Sequence, residues 1–192
     1  GLHVFGSSPE GRLRADTLAA IARAPRQGTK PEDASLHAAL ARDLGRDPER
    51  PDLVEDDAVA LIGDAAPGPA SAAVKSWIDG DLAPRLDESG AAEIDALLAA
   101  LDGRRVAPGP SGAPSRGRPD VLPTGRNFYS VDTRAVPTPS AWALGWKSAF
   151  LLLERHTQEH GDWPRAVALS AWGTSNMRTG GDDIAQALAL MG

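Results

Sequence analysis

Gly103-Arg-Arg-Val-Ala-Pro-Gly-Pro-Ser-Gly-Ala-Pro-Ser-Arg-Gly-Arg-Pro-Asp-Val-Leu-Pro-Thr-Gly-Arg126 decides how the chain divides. Five Arg, five Gly and five Pro fall within it, and no regular element survives that density of breakers. It separates residues 1–102, which read as a mainly helical region, from residues 138–192, which read as a partial α/β unit of helix, strand and helix. Residues 103–137 are then an Arg/Gly/Pro-rich loop. The expected fold class is α/β mixed and helix-rich.

Working back from the loop, Glu88 to Leu101 carries a helical stripe of Ile94, Leu97, Leu98 and Leu101 that stops at Asp102-Gly103. Short Ala-rich helices are expected at Asp56 to Ala65 and Ser71 to Ile78. Leu36, Leu40 and Leu44 recur at four-residue spacing in a helix from Pro31 to Leu44. Another runs from Pro9 or Glu10 to Ala24, with Leu13, Thr17, Leu18 and Ile21 on one face. Gly1 to Gly6 reads as a short buried strand, and so abrupt a start implies a piece of a longer chain. Beyond the loop, Thr138 is the expected N-cap and Pro139 the first residue of a helix to Glu159. Trp142, Trp146, Phe150 and Leu153 mark its expected buried face. Ala166 to Trp172 is the expected core strand, Gly173 to Gly181 a loop, and Asp182 or Asp183 the cap of a last helix with Ile184, Leu188 and Met191 inward.

With 192 residues, 42% hydrophobic and 24% charged, the chain has the composition of a globular protein and can bury one sizeable core. It holds no cysteine, so disulfides, iron–sulfur clusters and thiolate zinc sites are excluded within it. No apolar run is long enough for a transmembrane helix, and no basic patch followed by an apolar stretch opens the chain. The expected setting is cytoplasmic, without a membrane. The net charge of -6 hides an asymmetry: residues 1–102 carry 10 basic and 19 acidic side chains, the remainder 10 and 7. An anionic ligand is therefore sought in the second part. No basic stripe with interleaved aromatics points to nucleic acid.

The loop itself has two readings. It is either a solvated linker, or a carboxylate-binding surface in which Arg104, Arg105, Arg116, Arg118 and Arg126 offer bidentate forks. Gly109 to Asp132, continuing through Arg134-Ala-Val-Pro-Thr138, closely resembles a signature of the CobN family, and magnesium chelatase H subunits carry a looser version around Leu122-Pro-Thr-Gly125 and Asn127. Trp172-Gly-Thr-Ser-Asn-Met-Arg-Thr-Gly-Gly-Asp-Asp183 is similar to a second signature of that family, and Gly1-Leu-His-Val-Phe-Gly6 resembles a third.

The resemblance implies a fragment of a large cytoplasmic cobaltochelatase subunit, a metal–nitrogen ligase that inserts cobalt into a corrin precursor, hydrogenobyrinic acid a,c-diamide, in cobalamin biosynthesis. It implies two smaller partner subunits forming an ATP-driven ring, with Mg-ATP on them, no cofactor in this chain, and cobalt as substrate. Alone, the chain is expected to be inactive. Consistently, no G-x-x-x-x-G-K-[ST] motif occurs.

Metal insertion needs the macrocycle held, its carboxylates neutralised, two pyrrole N–H protons removed and the metal delivered. By the resemblance, Arg126 is a candidate carboxylate clamp, Asn127 an orienting amide and Tyr129 a stacking wall, with Arg116 and Arg118 alongside. Asp132 is either a base or an ion-pair partner. Trp172, Asn176 and Arg178 do similar work from the second signature. The alternatives are a magnesium chelatase H subunit acting on protoporphyrin IX, or a scaffold region that docks the ATPase subunits. His156-Thr-Gln-Glu-His160 matches the H-x-x-E-H pattern of a zinc peptidase, but an exposed last helical turn that favours histidines explains it without metal. No metal site is expected.

Overall fold

A computed structural model describes residues 4–26, 29–126 and 134–192. Eight α-helices are present among them: α1 (Gly11–Ala22), α2 (Leu36–Asp43), α3 (Glu55–Gly63), α4 (Ala72–Trp77), α5 (Ala83–Leu101), α6 (Pro139–His160), α7 (Gly173–Thr179) and α8 (Asp182–Met191). The helix-rich expectation holds, and no β-strand occurs among the described residues. Val4 and Ser7 form an isolated bridge, so the start of the chain is a tight turn where it is described. The remainder of the expected first strand, with His3, lies outside the described residues.

The core is built by α1 to α5. Leu18 and Ile21 of α1, Leu36 and Leu40 of α2, Leu61 of α3, Val74 of α4 and Leu86 of α5 are buried together, as the helical spacing in the first region requires. Ser35 caps α2, its hydroxyl accepting the Ala38 amide at 3.4 Å. Between α4 and α5 the helix widens into a π-helical turn over Ile78–Leu82. Pro84 has no N–H to give the Gly80 carbonyl, and a wide turn lets the helix continue past the missing bond. Ile78 and Leu82 from that turn are fully buried.

Three apolar stripes lie elsewhere than their spacing predicts. In α5, Leu97, Leu98 and Leu101 are 44%, 54% and 76% exposed; the buried residues are Ala83, Leu86, Ser89, Gly90 and Glu93. In α6, Trp142, Trp146 and Phe150 are exposed while Ala141, Gly145 and Ala149 are buried. In α8, Ile184, Leu188 and Met191 face outward and Ala185 is buried. The reason for the last two is close approach. A Cβ on Gly145 would stand 2.5 Å from the Ala185 Cβ, so α6 and α8 pack through a small-residue seam, which the bulky side chains cannot enter.

The expected strand from Ala166 to Trp172 is not formed. Residues 163–172 have no helix or ladder, and Val167, Leu169 and Trp172 are 41%, 40% and 70% exposed. The helix, strand and helix unit is thus two long helices joined by an irregular stretch and one short helix. That helix, α7, forms where a loop is expected: Gly173 to Thr179 runs helical until Gly180 takes the left-handed conformation at φ 74°, a stop that glycine reaches without strain.

Candidate functional site

The first signature is strapped to α5 before it reaches Arg126. Val121 and Leu122 are 2% and 3% exposed, and Leu122 belongs to the core cluster; burying such a side chain contributes roughly 1.5–3 kcal/mol. Arg85 Nη1 donates to the carbonyls of Pro119 and Leu122 at 3.2 and 3.4 Å. The Thr124 amide donates to Ser89 Oγ at 3.3 Å, and the Thr124 hydroxyl donates to Glu93 Oε1 at 2.5 Å. Gly125, at φ 97°, lies so close to α5 that a Cβ would meet the Ala92 carbonyl oxygen at 2.7 Å. The linker reading fails for these residues: Pro119 to Gly125 is a fixed loop.

Arg126 follows directly and is exposed. Its carbonyl accepts the Gly109 amide at 2.5 Å. A Cβ on Gly109 would meet Arg126 Cγ at 2.8 Å, so the glycine leaves room for the arginine stem. Asn127, Tyr129 and Asp132 lie outside the described residues.

The second signature packs onto the two ends of the first. The Thr138 amide donates to the Gly180 carbonyl at 2.9 Å. Added Cβ atoms at Gly180 and Gly181 would strike Thr138 Cγ2 at 2.7 Å and Val136 Cγ1 at 2.4 Å. Arg116 Nη1 stands 3.2 Å from Asp182 Oδ2, and the Ser140 hydroxyl donates to the Arg116 carbonyl at 2.8 Å. Thr138 caps α6 as expected, accepting the Ala141 amide at 3.3 Å. The aspartates of the last helix are not caps: Gly181 holds that position, and Asp183 accepts instead from the Asn176 amide at 3.1 Å. Desolvation raises the Asp182 carboxyl, with Arg116 opposing and Asp183 reinforcing that shift.

These contacts sort the candidates. Arg118 forks onto Asp120, both bonds at 2.9 Å, and through them holds that carboxyl below its ordinary range against its burial. Arg116 is engaged with Asp182. Asn176 is 6% exposed, and its amide also donates to the Trp172 carbonyl at 3.0 Å; it holds α7 and α8 together. Trp172 is exposed. Arg126 and Arg178 are exposed and pair with no carboxylate among the described residues. Gly112 from the first signature and Thr174, Met177 and Arg178 from the second line one cleft.

A family model described as CobN/Magnesium Chelatase matches residues 1–192. The chain belongs to the CobN/magnesium chelatase family. It is 52% identical over 230 aligned residues to the aerobic cobaltochelatase subunit CobN of Pseudomonas aeruginosa, covering 100% of this chain and 18% of that protein. It is 46% identical over 100 residues to the magnesium-chelatase H subunit of Rhodobacter capsulatus, covering 52% of this chain and 8% of that protein. Among solved structures, the catalytic subunit of cobaltochelatase from Mycobacterium tuberculosis superposes with a TM-score of 0.77 at 43% identity, over 100% of this chain and 18% of that one. The chain thus spans less than a fifth of these CobN relatives.

In this CobN-family chain, the spacing of apolar residues misses the α5 partners of the loop. Arg85, Ser89 and Glu93 recur every four residues on one helix face, and that polar stripe within an otherwise Ala- and Leu-rich helix is the signal that could have found them. The His156 and His160 rings stack at 4.3 Å, Glu159 accepts from Arg155 at 2.8 Å, and no group of three metal-ligating side chains forms among the described residues. No helix among them is long and apolar enough to cross a membrane.

Proposed function

We propose that this chain is the part of a cobaltochelatase large subunit that grips the peripheral carboxylates of a corrin-type tetrapyrrole, hydrogenobyrinic acid a,c-diamide, while cobalt is inserted. The supporting observation is the state of the signature arginines. Two are committed to Asp120 and Asp182, while Arg126, on the strapped loop, offers its guanidinium to solvent. A planar fork on a rigid backbone suits a carboxylate, and holding it in place before the ligand arrives lowers the ordering cost of binding.

In this role Arg126 neutralises and orients a side-chain carboxylate of the macrocycle, and Arg178 supplies a second positive charge from the facing signature. Insertion exchanges two pyrrole N–H protons for one divalent cobalt, and Asp132 is the candidate base that takes them. ATP hydrolysis belongs to two smaller partner subunits in the cytoplasm, and the chain needs no cofactor of its own.

Cobalt is preferred over magnesium because the CobN relatives align along the whole chain, whereas the magnesium-chelatase H subunits align along about half of it, at 42–46% identity. Titration of the large subunit by absorbance tests the reading. Arg126→Ala weakens the corrin precursor about tenfold, the scale of one charge-assisted hydrogen bond. Unchanged affinity refutes the role of Arg126. Binding of protoporphyrin IX in preference to the corrin assigns the chain to the magnesium branch, and capture by the ATPase subunits without any spectral change assigns it a docking role.

A further inference from the structure

Two segments of the chain meet on one face of α5, and a single side chain holds both. Glu93 is 4% exposed. Its Oε1 accepts the Thr124 hydroxyl at 2.5 Å and its Oε2 accepts the Gly6 amide at 2.7 Å. Thr124 stands two residues before Arg126, and Gly6 closes the third signature. Beside it, the Ser8 hydroxyl donates to the Asp87 carbonyl at 2.6 Å and accepts the Gly90 amide at 3.0 Å. No Cβ fits at Gly90, where it would stand 2.7 Å from the Ser8 amide nitrogen. The turn and the loop therefore run as adjacent tracks on α5, and the Glu93 carboxylate spans them.

We infer that Glu93 is a positioning residue for ligand recognition: by fixing Thr124 against α5 and tying it to the Gly6 turn, it sets where the Arg126 guanidinium stands. The inference rests on the reading of Arg126 as the carboxylate clamp. Burying a carboxylate has a large desolvation cost, and a hydrophobic or amide side chain would hold a helix face together with less. What a carboxylate adds is two strong acceptor oxygens in one plane, able to hold a hydroxyl and an amide at once. Gly125 tightens the arrangement. Its contact with α5 leaves the loop no room to shift toward the helix, and Glu93 stops it from lifting away.

Arg126 enters through this geometry. Only Gly125 stands between Thr124 and Arg126, at φ 97° and close against α5. With Thr124 anchored and Gly125 clamped, the direction of the chain into Arg126 is determined. Releasing Thr124 lets the arginine sample many positions, and binding must then select one of them.

The test is a double-mutant cycle in the large subunit, read by absorbance titration with two corrin ligands, one bearing free peripheral carboxylates and one with every carboxylate converted to an amide. Glu93→Leu keeps roughly the same bulk and removes both acceptors. It weakens the carboxylate form about five- to tenfold, leaves the amidated form within about twofold, and adds less than about twofold once Arg126 is already Ala. Thr124→Val, which replaces the hydroxyl by a methyl group, reproduces the pattern and serves if Glu93→Leu does not fold. Equal weakening of both ligands, or full additivity with Arg126→Ala, overturns the inference and leaves Glu93 as a support of the fold. No effect of Arg126→Ala by itself refutes the clamp instead.

Discussion

Replacing Gly145 by Ala should loosen the second part of the chain, although alanine is the better helix former. Gly145 is buried in the middle of α6. An added Cβ would stand 2.5 Å from both the Ala185 Cβ and the Gln186 amide nitrogen, and 2.7 Å from the Ala185 carbonyl carbon. Ordinary carbon contacts are roughly 3.5–4.0 Å, so α8 must retreat by about 1 Å. Two of the three obstructing atoms are backbone, and no side-chain rotation relieves them. Overpacking of this kind costs about 1–3 kcal/mol, and the gain in helix propensity returns about 1 kcal/mol. The net loss is about 1 kcal/mol, reaching about 2 kcal/mol where the backbone cannot yield. For a chain of this size that lowers Tm by about 2–8 °C. Gly63 is the control. It ends α3 with nothing within 4 Å of an added Cβ, so Gly63→Ala should hold or raise Tm. Thermal unfolding followed by circular dichroism, with hydrogen exchange along α8, reads both. A Gly145→Ala protein as stable as the Gly63→Ala protein, with unchanged protection of α8, would show that the small-residue seam is not what joins these helices.

The buried His37 gives a pH prediction. Its ring is 0% exposed, and neither nitrogen has a hydrogen-bond partner among the described residues. Burial, reinforced by Arg23 and opposed by Glu55, lowers its pKa from 6.5. The unfolded chain therefore binds the proton first, and stability is full above about pH 6.5 and falls as pH drops toward the folded value. His37→Leu removes that dependence and, by deleting unsatisfied polar atoms from the core, raises stability at pH 7 by roughly 1–2 kcal/mol; urea unfolding at pH 7.5 and 5.5 checks both, and an undiminished pH slope in the variant refutes the assignment. Elemental analysis tests the histidine pair. Zinc stays at background in the native protein and in His156→Ala, and stoichiometric zinc lost on that substitution would restore the peptidase reading.

Helix positions in the first region were legible because their apolar periodicity and their packing coincide over most of each stripe: Leu18, Ile21, Leu36 and Leu40 are inside, while Leu13 and Leu44 at the stripe ends are exposed. From α5 onward the two diverge. Leu97, Leu98, Trp146, Phe150 and Leu188 have helical spacing, yet they are exposed; in α6 and α8 the reason is that Gly145 and Ala185 set distances at which only small groups fit. Periodicity reports which side chains are large and apolar, and it does not register that a neighbouring backbone has come too close for them. The strand from Ala166 to Trp172 fails for a related reason. A short apolar run describes a core strand only if a sheet exists to bury it, and the described residues supply none.

The loop shows the converse, a segment whose composition argues for disorder and whose contacts give it a single path. Five prolines in residues 103–126 remove five N–H donors, so the loop's own short turns, such as Ala113 to Arg116 and Pro119 to Leu122, satisfy only some of its polar groups. Further partners come from outside. Arg85 supplies them to Pro119 and Leu122, and the stripe continues with Ser89 and Glu93 accepting the amide and hydroxyl of Thr124. A polar helix face is thus the complement of a proline-rich strap, as an apolar face is the complement of another helix. The polar stripe of α5 and the breakers of the loop are two halves of one feature, and the residue that this pairing delivers to the surface is Arg126.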